Sequence, residues 1–138
     1  MPNGRPLALV VAGQTLYIGG FFSQLSGQNR GFLGAVDLST GALLLWNPEL
    51  NFEVSEMTTS STRLYVAGRV GGPYGSTIGN AAFDLATRRR LPFAAPLQFV
   101  SGTRHLAATS DRVLTTSRFY YPPRAFGVAW LDPETGAV

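Results

Sequence analysis

Short apolar runs, separated by polar or glycine-rich segments, recur along the whole chain. Runs of this length that are bounded by turn residues indicate β strands rather than helices. Leu7–Ala12 is apolar throughout, which predicts a short strand buried on both faces. Further strands are predicted at Leu16–Phe22, Phe32–Leu38 and Leu43–Trp46, and Asn47-Pro48 ends the last of them.

The pattern repeats with a period of about 48 residues, and three aspartates mark the repeats. Asp37, Asp84 and Asp132 stand at the same place in successive repeats, and a similar apolar triplet precedes each of them. An aromatic residue, Trp46 or Phe93, follows the first two aspartates at a distance of nine residues. Several strands within a period in the forties are typical of a β-propeller blade.

The repeat predicts an all-β fold of four-stranded antiparallel meanders, arranged as an open array or a partial propeller. We expect a single partial β-propeller over residues 1–138, with blade 1 at 6–53, blade 2 at 54–100 and blade 3 at 101–138. Two blades are complete, and the third lacks its outer strand. The remaining predicted strands are Met57–Ser60, Leu64–Val70, Asn80–Leu85, Leu91–Phe93, Leu106–Thr109, Val113–Ser117 and Phe126–Leu131.

A tight turn is predicted after each of the three aspartates. An aspartate carboxylate accepts hydrogen bonds from backbone N–H groups two or three residues further on, and glycine supplies the positive φ that such a turn needs. Arg88 stands where the first turn has glycine, so we expect the second turn to be altered. The predicted structural turn residues are Asp37, Thr40, Gly41, Asp84, Thr87, Asp132, Thr135 and Gly136.

Composition excludes several classes of function. The chain has no cysteine, which excludes disulfides and thiolate metal sites, and its 11 basic residues are all arginine. A formal net charge of +3 with mostly scattered arginines is far from the basic stripe that nucleic-acid binding requires, so we expect no nucleic-acid partner. The sequence contains no apolar run long enough for a membrane span, and the residues after Met1 do not resemble a signal peptide.

The segment LYIGGFF…LSGQNRGFLGAVD, which begins at Leu16, resembles the delta-60-type repeat of bacterial β-propellers. The overlapping AVDLSTGALLLW is similar to the repeat of pyrroloquinoline-quinone-type propellers, in which Ala, Asp, Thr-Gly and Trp dock one blade on the next. The resemblance implies a propeller fold but no single function, because such repeats occur in surface, secreted and periplasmic proteins of many roles. The matching residues are Ala35, Asp37, Thr40, Gly41 and Trp46, then Ala82, Asp84, Thr87 and Phe93, then Asp132, Thr135 and Gly136.

Two complete units and one incomplete unit are fewer than the four to eight blades of a closed propeller. The apolar faces of a blade are covered by its neighbours, so terminal units without caps leave such faces open. We therefore expect either a segment of a longer propeller or a chain that associates with copies of itself. The resemblance implies a bacterial protein outside the cytoplasm: secreted, periplasmic or on the cell surface.

None of the residue groups that suggest catalysis meets the requirements of a known site. Each aspartate turn supplies one carboxylate, whereas Ca²⁺ requires six to eight oxygen ligands, so we expect no metal. A triad of His105 and Asp111 with Ser101 or Ser110 lacks the nucleophile-elbow pattern around either serine. The glycine-rich segment 68–79 lies between strands and lacks the lysine that ends a phosphate-binding loop. We predict no catalytic residue and no cofactor.

The candidate ligand site lies on the loops that join second to third strands. Loops on a rigid scaffold commonly carry function, and Arg and Tyr often anchor interfaces. The alternative is that Arg30 pins its own loop and that the Tyr120-Tyr121 pair covers an exposed edge. Trp46, Phe93 and Trp130 are predicted to pack between blades. The predicted ligand-binding residues are Gln28, Asn29, Arg30, Tyr74, Tyr120, Tyr121 and Arg124.

Three functional classes remain open. The first is a noncatalytic scaffold segment that binds a protein or a ligand, within a larger secreted or cell-surface bacterial protein. The second is a segment of a propeller enzyme, such as a quinoprotein-like dehydrogenase or a polysaccharide-active enzyme, whose active residues lie elsewhere. The third is a sugar-binding propeller. We predict the first class, with a protein or a glycan as the partner.

Overall fold

The computed structural model describes residues 1–70, 77–94, 105–118 and 126–137, and this part of the chain contains strands and no helix. The strands form several small antiparallel sheets, and the described residues form no closed sheet. The predicted all-β class is confirmed. In chain order the strands are β1 (Arg5–Ala12), β2 (Thr15–Phe21), β3 (Gln24–Leu25), β4 (Gln28–Asn29), β5 (Leu33–Asp37), β6 (Glu53–Thr59), β7 (Arg63–Val70), β8 (Thr77–Asp84), β9 (His105–Ala108), β10 (Val113–Arg118) and β11 (Phe126–Leu131).

Nine of these strands form three antiparallel meanders: sheet 1 is β1-β2-β5, sheet 2 is β6-β7-β8, and sheet 3 is β9-β10-β11. The pairing register is the same in each of them. Tyr17 pairs with Ala35 in sheet 1, and Tyr65 pairs with Ala82 in sheet 2. The pairing of the first two strands is also interrupted at matching places, between Pro6 and Ala8 in β1 and between Val54 and Glu56 in β6. Sheets 1 and 2 therefore pair their strands in the same pattern.

The predicted fourth strands, Leu43–Trp46 and Leu91–Phe93, do not form as strands. Each sheet edge gains only an isolated bridge, Val36 with Leu43 in sheet 1 and Phe83 with Arg90 in sheet 2. The chain turns back against the edge at the aspartate turn and then leaves it. Prolines close behind, Pro48 and Pro92, lack the N–H that a longer ladder would need.

Sheet 2 is covered on both faces. Five consecutive residues of β7, Leu64 to Gly68, are buried, although alternate residues of a strand point to opposite faces. Leu64 and Val66 belong to a core shared with sheet 1, and Tyr65 belongs to a second core shared with sheet 3. The members of the first core are Tyr17, Leu33, Ala35, Leu50, Phe52, Val54, Leu64, Val66, Ala81 and Phe83, and those of the second are Tyr65, Ala82, Phe93, Val113 and Leu131.

The prediction that Leu7–Ala12 is buried on both faces is wrong. In β1 the apolar side chains at alternate positions, Leu7, Leu9 and Val11, are 44%, 64% and 55% exposed. Val10 and Ala12, on the other face of the strand, pack against the first core. Only one face of sheet 1 therefore has a neighbour among the described residues. An unbroken apolar run in the sequence does not show whether one face of a strand or both faces are covered.

The polar loop predicted between β2 and β5 contains the two-stranded hairpin of β3 and β4. Its two central residues, Ser26 and Gly27, have φ values of 48° and 75°, and positive φ at both positions is the signature of a type I′ turn. The N-terminal segment lies along β3, where Pro2 forms a bridge with Leu25. The Asn3 side-chain oxygen accepts hydrogen bonds from backbone N–H groups of the β2–β3 link.

Sheets 1 and 2 approach each other closely at Gly19 in β2. A Cβ atom at this position would collide with the side chain of Val54, which is fully buried in the neighbouring sheet. Gly19 is therefore required by the contact between the sheets rather than by the conformation of a turn.

We expect Gly19→Ala to lower the free energy of unfolding by about 1–3 kcal/mol, because the added methyl group overpacks the contact between the sheets. Gly31→Ala is the matched control, since its Cβ would meet only the Leu50 carbonyl at 3.7 Å and its φ lies outside the left-handed region. Urea unfolding of both variants measures the difference. Equal stability of the two variants would contradict the close approach of sheets 1 and 2.

Candidate functional site

The three aspartate turns share one hydrogen-bond pattern. In the first turn, Asp37 Oδ1 accepts from the backbone N–H of Ser39 at 2.8 Å and of Thr40 at 3.0 Å, and from the Ser39 hydroxyl. The Asp37 carbonyl accepts from Gly41 N at 2.8 Å. The third turn repeats this arrangement, with Asp132 accepting from Thr135. These carboxylates hold the backbone of their own turns.

The second turn has the same geometry, so the expectation that Arg88 alters it is wrong. Arg88 adopts a φ of 57°, close to the 71° of Gly41, and its N–H donates to the Asp84 carbonyl at 2.8 Å. Asp84 Oδ1 accepts from the backbone N–H and the hydroxyl of Thr87. A side chain in the left-handed region costs about 1 kcal/mol, and the contacts that Arg88 makes with the neighbouring sheet offset that cost.

Arg88 connects sheet 2 to sheet 1. Its carbonyl accepts a hydrogen bond from Trp46 Nε1 at 3.0 Å, and its Nη2 donates to Thr15 Oγ1 in β2 at 3.2 Å. The Trp46 ring lies edge-on to Tyr17 of sheet 1 and to Phe83 of sheet 2, with centroid distances of 5.7 and 5.1 Å. An indole therefore fills the junction of the two sheets, with its N–H satisfied by the turn of the next sheet.

Two residues of β7, in sheet 2, contact the turn of sheet 3. Arg63 Nη1 and the Tyr65 hydroxyl both donate to the Pro133 carbonyl, at 2.8 and 3.1 Å, and Arg63 also lies 3.4 Å from a Glu134 oxygen. Arg63 and Tyr65 stand one repeat after Thr15 and Tyr17. Phe93 packs edge-on to Tyr65 at 5.3 Å. Trp130, in contrast, is 51% exposed on the outer face of sheet 3.

The predicted ligand-binding residues fall into three groups. Gln28 and Asn29 are exposed on the β3–β4 hairpin. Arg30 is only 6% exposed, and its guanidinium donates to the carbonyls of Asn29 at 2.6 Å and Leu44 at 2.8 Å. This geometry favours the alternative that Arg30 pins its loop. The others, Tyr74, Tyr120, Tyr121 and Arg124, lie outside the described residues.

A groove of about 560 Å³ opens between sheets 1 and 2 at the end of the sheets where the aspartate turns lie. This is the opposite end from the hairpin that carries Gln28 and Asn29, because Thr15 pairs with Asp37 while β2 ends at Phe21. The groove volume is within the range of small-ligand sites. Its lining residues are Ala12, Gly13, Thr15, Tyr17, Thr59, Ser60, Ser61, Thr62, Asp84, Leu85 and Ala86.

Hydroxyl groups dominate the polar lining of the groove. Thr59 ends β6, Ser60, Ser61 and Thr62 form the β6–β7 turn, and Asp84 adds a carboxylate. Hydroxyls both donate and accept hydrogen bonds, so such a lining suits a neutral ligand that carries hydroxyls of its own. The sequence analysis missed this groove. The polar run after β6 was visible as a signal, but its position beside β2 depends on how the sheets stack.

The described residues do not provide a metal centre or a triad. No three of their His, Asp or Glu side chains come together in a group able to hold a metal ion. His105 is exposed and lies 3.9 Å from Glu56, while Asp111 accepts a hydrogen bond from Thr109. Within the same ranges no helix has the length and apolarity of a membrane span.

Comparisons with known proteins do not assign this chain to a family. No family model matches the chain, and no curated protein sequence matches it either.

The aspartate turns make stability depend on pH in the acid range. Hydrogen bonds lower the pKa of all three carboxyls. The main donor to Asp37 is the Ser39 hydroxyl. The main donor to Asp84 is the backbone N–H of Thr87, and the main donor to Asp132 is the backbone N–H of Thr135. The unfolded chain therefore binds protons more readily than the folded one. The stability that these groups contribute is present above a pH of about 4 and is lost as the pH falls through the folded-state pKa.

We expect Asp132→Asn to flatten this acid loss, because an amide oxygen still accepts the turn hydrogen bonds but does not titrate. The free energy of unfolding is measured by urea titration at a series of pH values from about 6 down to about 2. Wild type should lose stability more steeply than the variant below a pH of about 4. Parallel curves for the two proteins would show that the turn carboxylate does not contribute.

We expect Trp46→Phe to lower the free energy of unfolding by about 1–3 kcal/mol, because it removes the donor to the Arg88 carbonyl and part of the packing between sheets. Leu45→Ala, which changes a neighbouring side chain that is 89% exposed, should stay within about 0.5 kcal/mol of wild type. Urea unfolding measures both. A Phe variant as stable as wild type would mean that the indole N–H does not support the junction.

Proposed function

We propose that the chain is a noncatalytic β-propeller scaffold segment that binds a glycan or a protein, within a larger secreted or cell-surface bacterial protein. Three meanders in one register, stacked through repeated contacts between a strand and the next turn, support the assignment of the sheets as blades. The resemblance to bacterial propeller repeats supports the location outside the cytoplasm.

The observation that carries the binding role is the hydroxyl-lined groove between sheets 1 and 2. Two of its polar groups are fixed by hydrogen bonds within their own turns: Ser60 Oγ accepts from the N–H of Arg63, and Asp84 Oδ1 accepts from the N–H of Thr87, so they are held in place before a ligand arrives. Rigid placement reduces the entropic cost of binding.

The chemistry of the groove favours a glycan over a charged ligand. Its described lining has hydroxyls from Thr15, Thr59, Ser60, Ser61 and Thr62 and one carboxylate from Asp84. A carboxylate only accepts hydrogen bonds, which suits the hydroxyl donors of a sugar and repels an anion. A small neutral saccharide is the ligand that these groups match best.

We expect the chain to bind a subset of saccharides on a glycan array, with the groove as the site. Ser61→Trp should abolish that binding, because the indole fills the groove at an exposed turn position. Gln28→Trp, on the hairpin at the opposite end, is the matched control and should leave binding unchanged. Titration calorimetry with the best saccharide measures both variants.

Two results would overturn the proposal. Loss of binding in Gln28→Trp but not in Ser61→Trp would move the site away from the groove. A stoichiometric change in the absorption spectrum of pyrroloquinoline quinone when it is added with Ca²⁺ would contradict the noncatalytic assignment and favour a quinoprotein segment.

A further inference from the structure

The groove between sheets 1 and 2 has a counterpart one repeat later, at the junction of sheets 2 and 3. Thr15 and Tyr17 of β2 occupy the places of Arg63 and Tyr65 of β7, because the two strands pair with their third strands in the same register. The aspartate turns that face these strands share one hydrogen-bond pattern. The two junctions can therefore be compared residue by residue.

At the second junction, two long charged side chains bridge the space between the strand and the turn. The Arg63 guanidinium donates to the Pro133 carbonyl at 2.8 Å and lies 3.4 Å from a Glu134 oxygen. The Tyr65 hydroxyl donates to the same carbonyl at 3.1 Å. One turn carbonyl thus accepts from two donors, and the cation has a counter-ion beside it.

At the first junction, short side chains replace both charged ones. Thr15 stands in place of Arg63 and Ala86 stands in place of Glu134, and both short residues line the groove. The exchange removes one cation and one anion together, so the strand and the turn do not leave a charge that an occupant has to neutralise. An uncharged occupant with hydrogen-bonding groups of its own fits this site.

The charges next to the groove also favour an uncharged occupant. Arg88, which stands in place of Gly136, brings its guanidinium within 3.2 Å of the Thr15 hydroxyl and so disfavours a second cation. Asp84 lines the groove and disfavours an anion.

Two hydrogen-bonding groups of the first junction lack the partners that their counterparts have. The Tyr17 side chain is only 2% exposed and lines the groove, but its hydroxyl makes no hydrogen bond to another residue that the structure describes. The Leu85 carbonyl, the counterpart of the Pro133 carbonyl, accepts no hydrogen bond within the described ranges either. Polar groups of buried side chains are normally paired, so these two groups mark the place where an occupant is bound.

We propose that one hydroxyl of a saccharide binds between the Tyr17 hydroxyl and the Leu85 carbonyl, accepting from the first and donating to the second. It takes the place that the Arg63 guanidinium has at the second junction. The inference rests on the proposed function and adds the two groups that select the ligand. A hydroxyl both donates and accepts, whereas a guanidinium or ammonium only donates and a carboxylate only accepts.

Tyr17→Phe tests the inference, and Tyr65→Phe is its matched control, because each removes one hydroxyl from the same place in the repeat. Tyr17→Phe should weaken saccharide binding about tenfold and leave the midpoint of urea unfolding unchanged, since the hydroxyl has a partner only in the complex. Tyr65→Phe should leave binding unchanged and lower the urea midpoint, since its hydrogen bond to the Pro133 carbonyl is lost.

Calorimetric titration measures the binding. The probes are the methyl glycosides of glucose, galactose and mannose and the saccharide that binds most tightly on the glycan array, followed by the monodeoxy analogues of the best of these. One monodeoxy analogue should bind wild type and Tyr17→Phe with equal affinity, because it lacks the hydroxyl that the tyrosine contacts. Methylguanidinium should not compete with the best probe.

Equal affinity of wild type and Tyr17→Phe for the best probe, with binding still abolished in Ser61→Trp, overturns this inference and leaves the proposed function in place. Wild type that binds no saccharide overturns both. Competition by methylguanidinium would assign the site to a cation and overturns the inference. A urea midpoint of Tyr17→Phe as low as that of Tyr65→Phe also overturns it, because the hydroxyl would then have a partner in the protein itself.

Discussion

The burial of sheet 2 on both faces is the constraint on which the rest of the structure depends. Sheet 2 carries apolar side chains on both faces, so each face must be covered by a neighbour. The two faces are covered differently. Sheet 1 contributes Tyr17, Leu33 and Ala35 to a large cluster on one face, and sheet 3 contributes Val113 and Leu131 to a smaller cluster on the other. The stack exists because neither face of the middle sheet tolerates water.

Side chains of different types perform the same task at the two junctions between sheets. Trp46 and Arg88 join sheets 1 and 2 through an indole N–H and a backbone carbonyl. Arg63 and Tyr65 join sheets 2 and 3 by donating to the Pro133 carbonyl. In both junctions a backbone carbonyl of an aspartate turn is the acceptor. The turn is preserved while its partners vary, because the position of a carbonyl depends on backbone geometry and not on side-chain identity.

The contacts at the two ends of the sheets also determine where a ligand site is available. The hairpin end of sheet 1 is occupied by its own contacts, with Arg30 buried and donating to main-chain carbonyls. The opposite end keeps a groove, since the β6–β7 turn and the Asp84 turn stand apart from β2 there. The groove therefore results from the way in which the small sheets stack. The hydroxyl groups that line it are the part of the scaffold to which no established role is assigned.

The sequence alone determined the local structure. The apolar triplets located β2, β7 and β10, and the spacing of Asp37, Asp84 and Asp132 placed three turns that share one hydrogen-bond pattern. These features depend on side chains within a few residues of each other, so their signal is contained in short stretches of chain.

Only the tertiary structure decided which faces are buried and where a site opens. Leu9 and Met57 occupy the same place in the repeat, yet one is exposed and the other packs in a core, because a preceding sheet covers only the second. Arg88 accepts a φ that its turn would otherwise reserve for glycine, because Trp46 and Thr15 of the neighbouring sheet bind it. Both outcomes depend on residues in a different sheet, far away along the chain, and no local pattern contains that information.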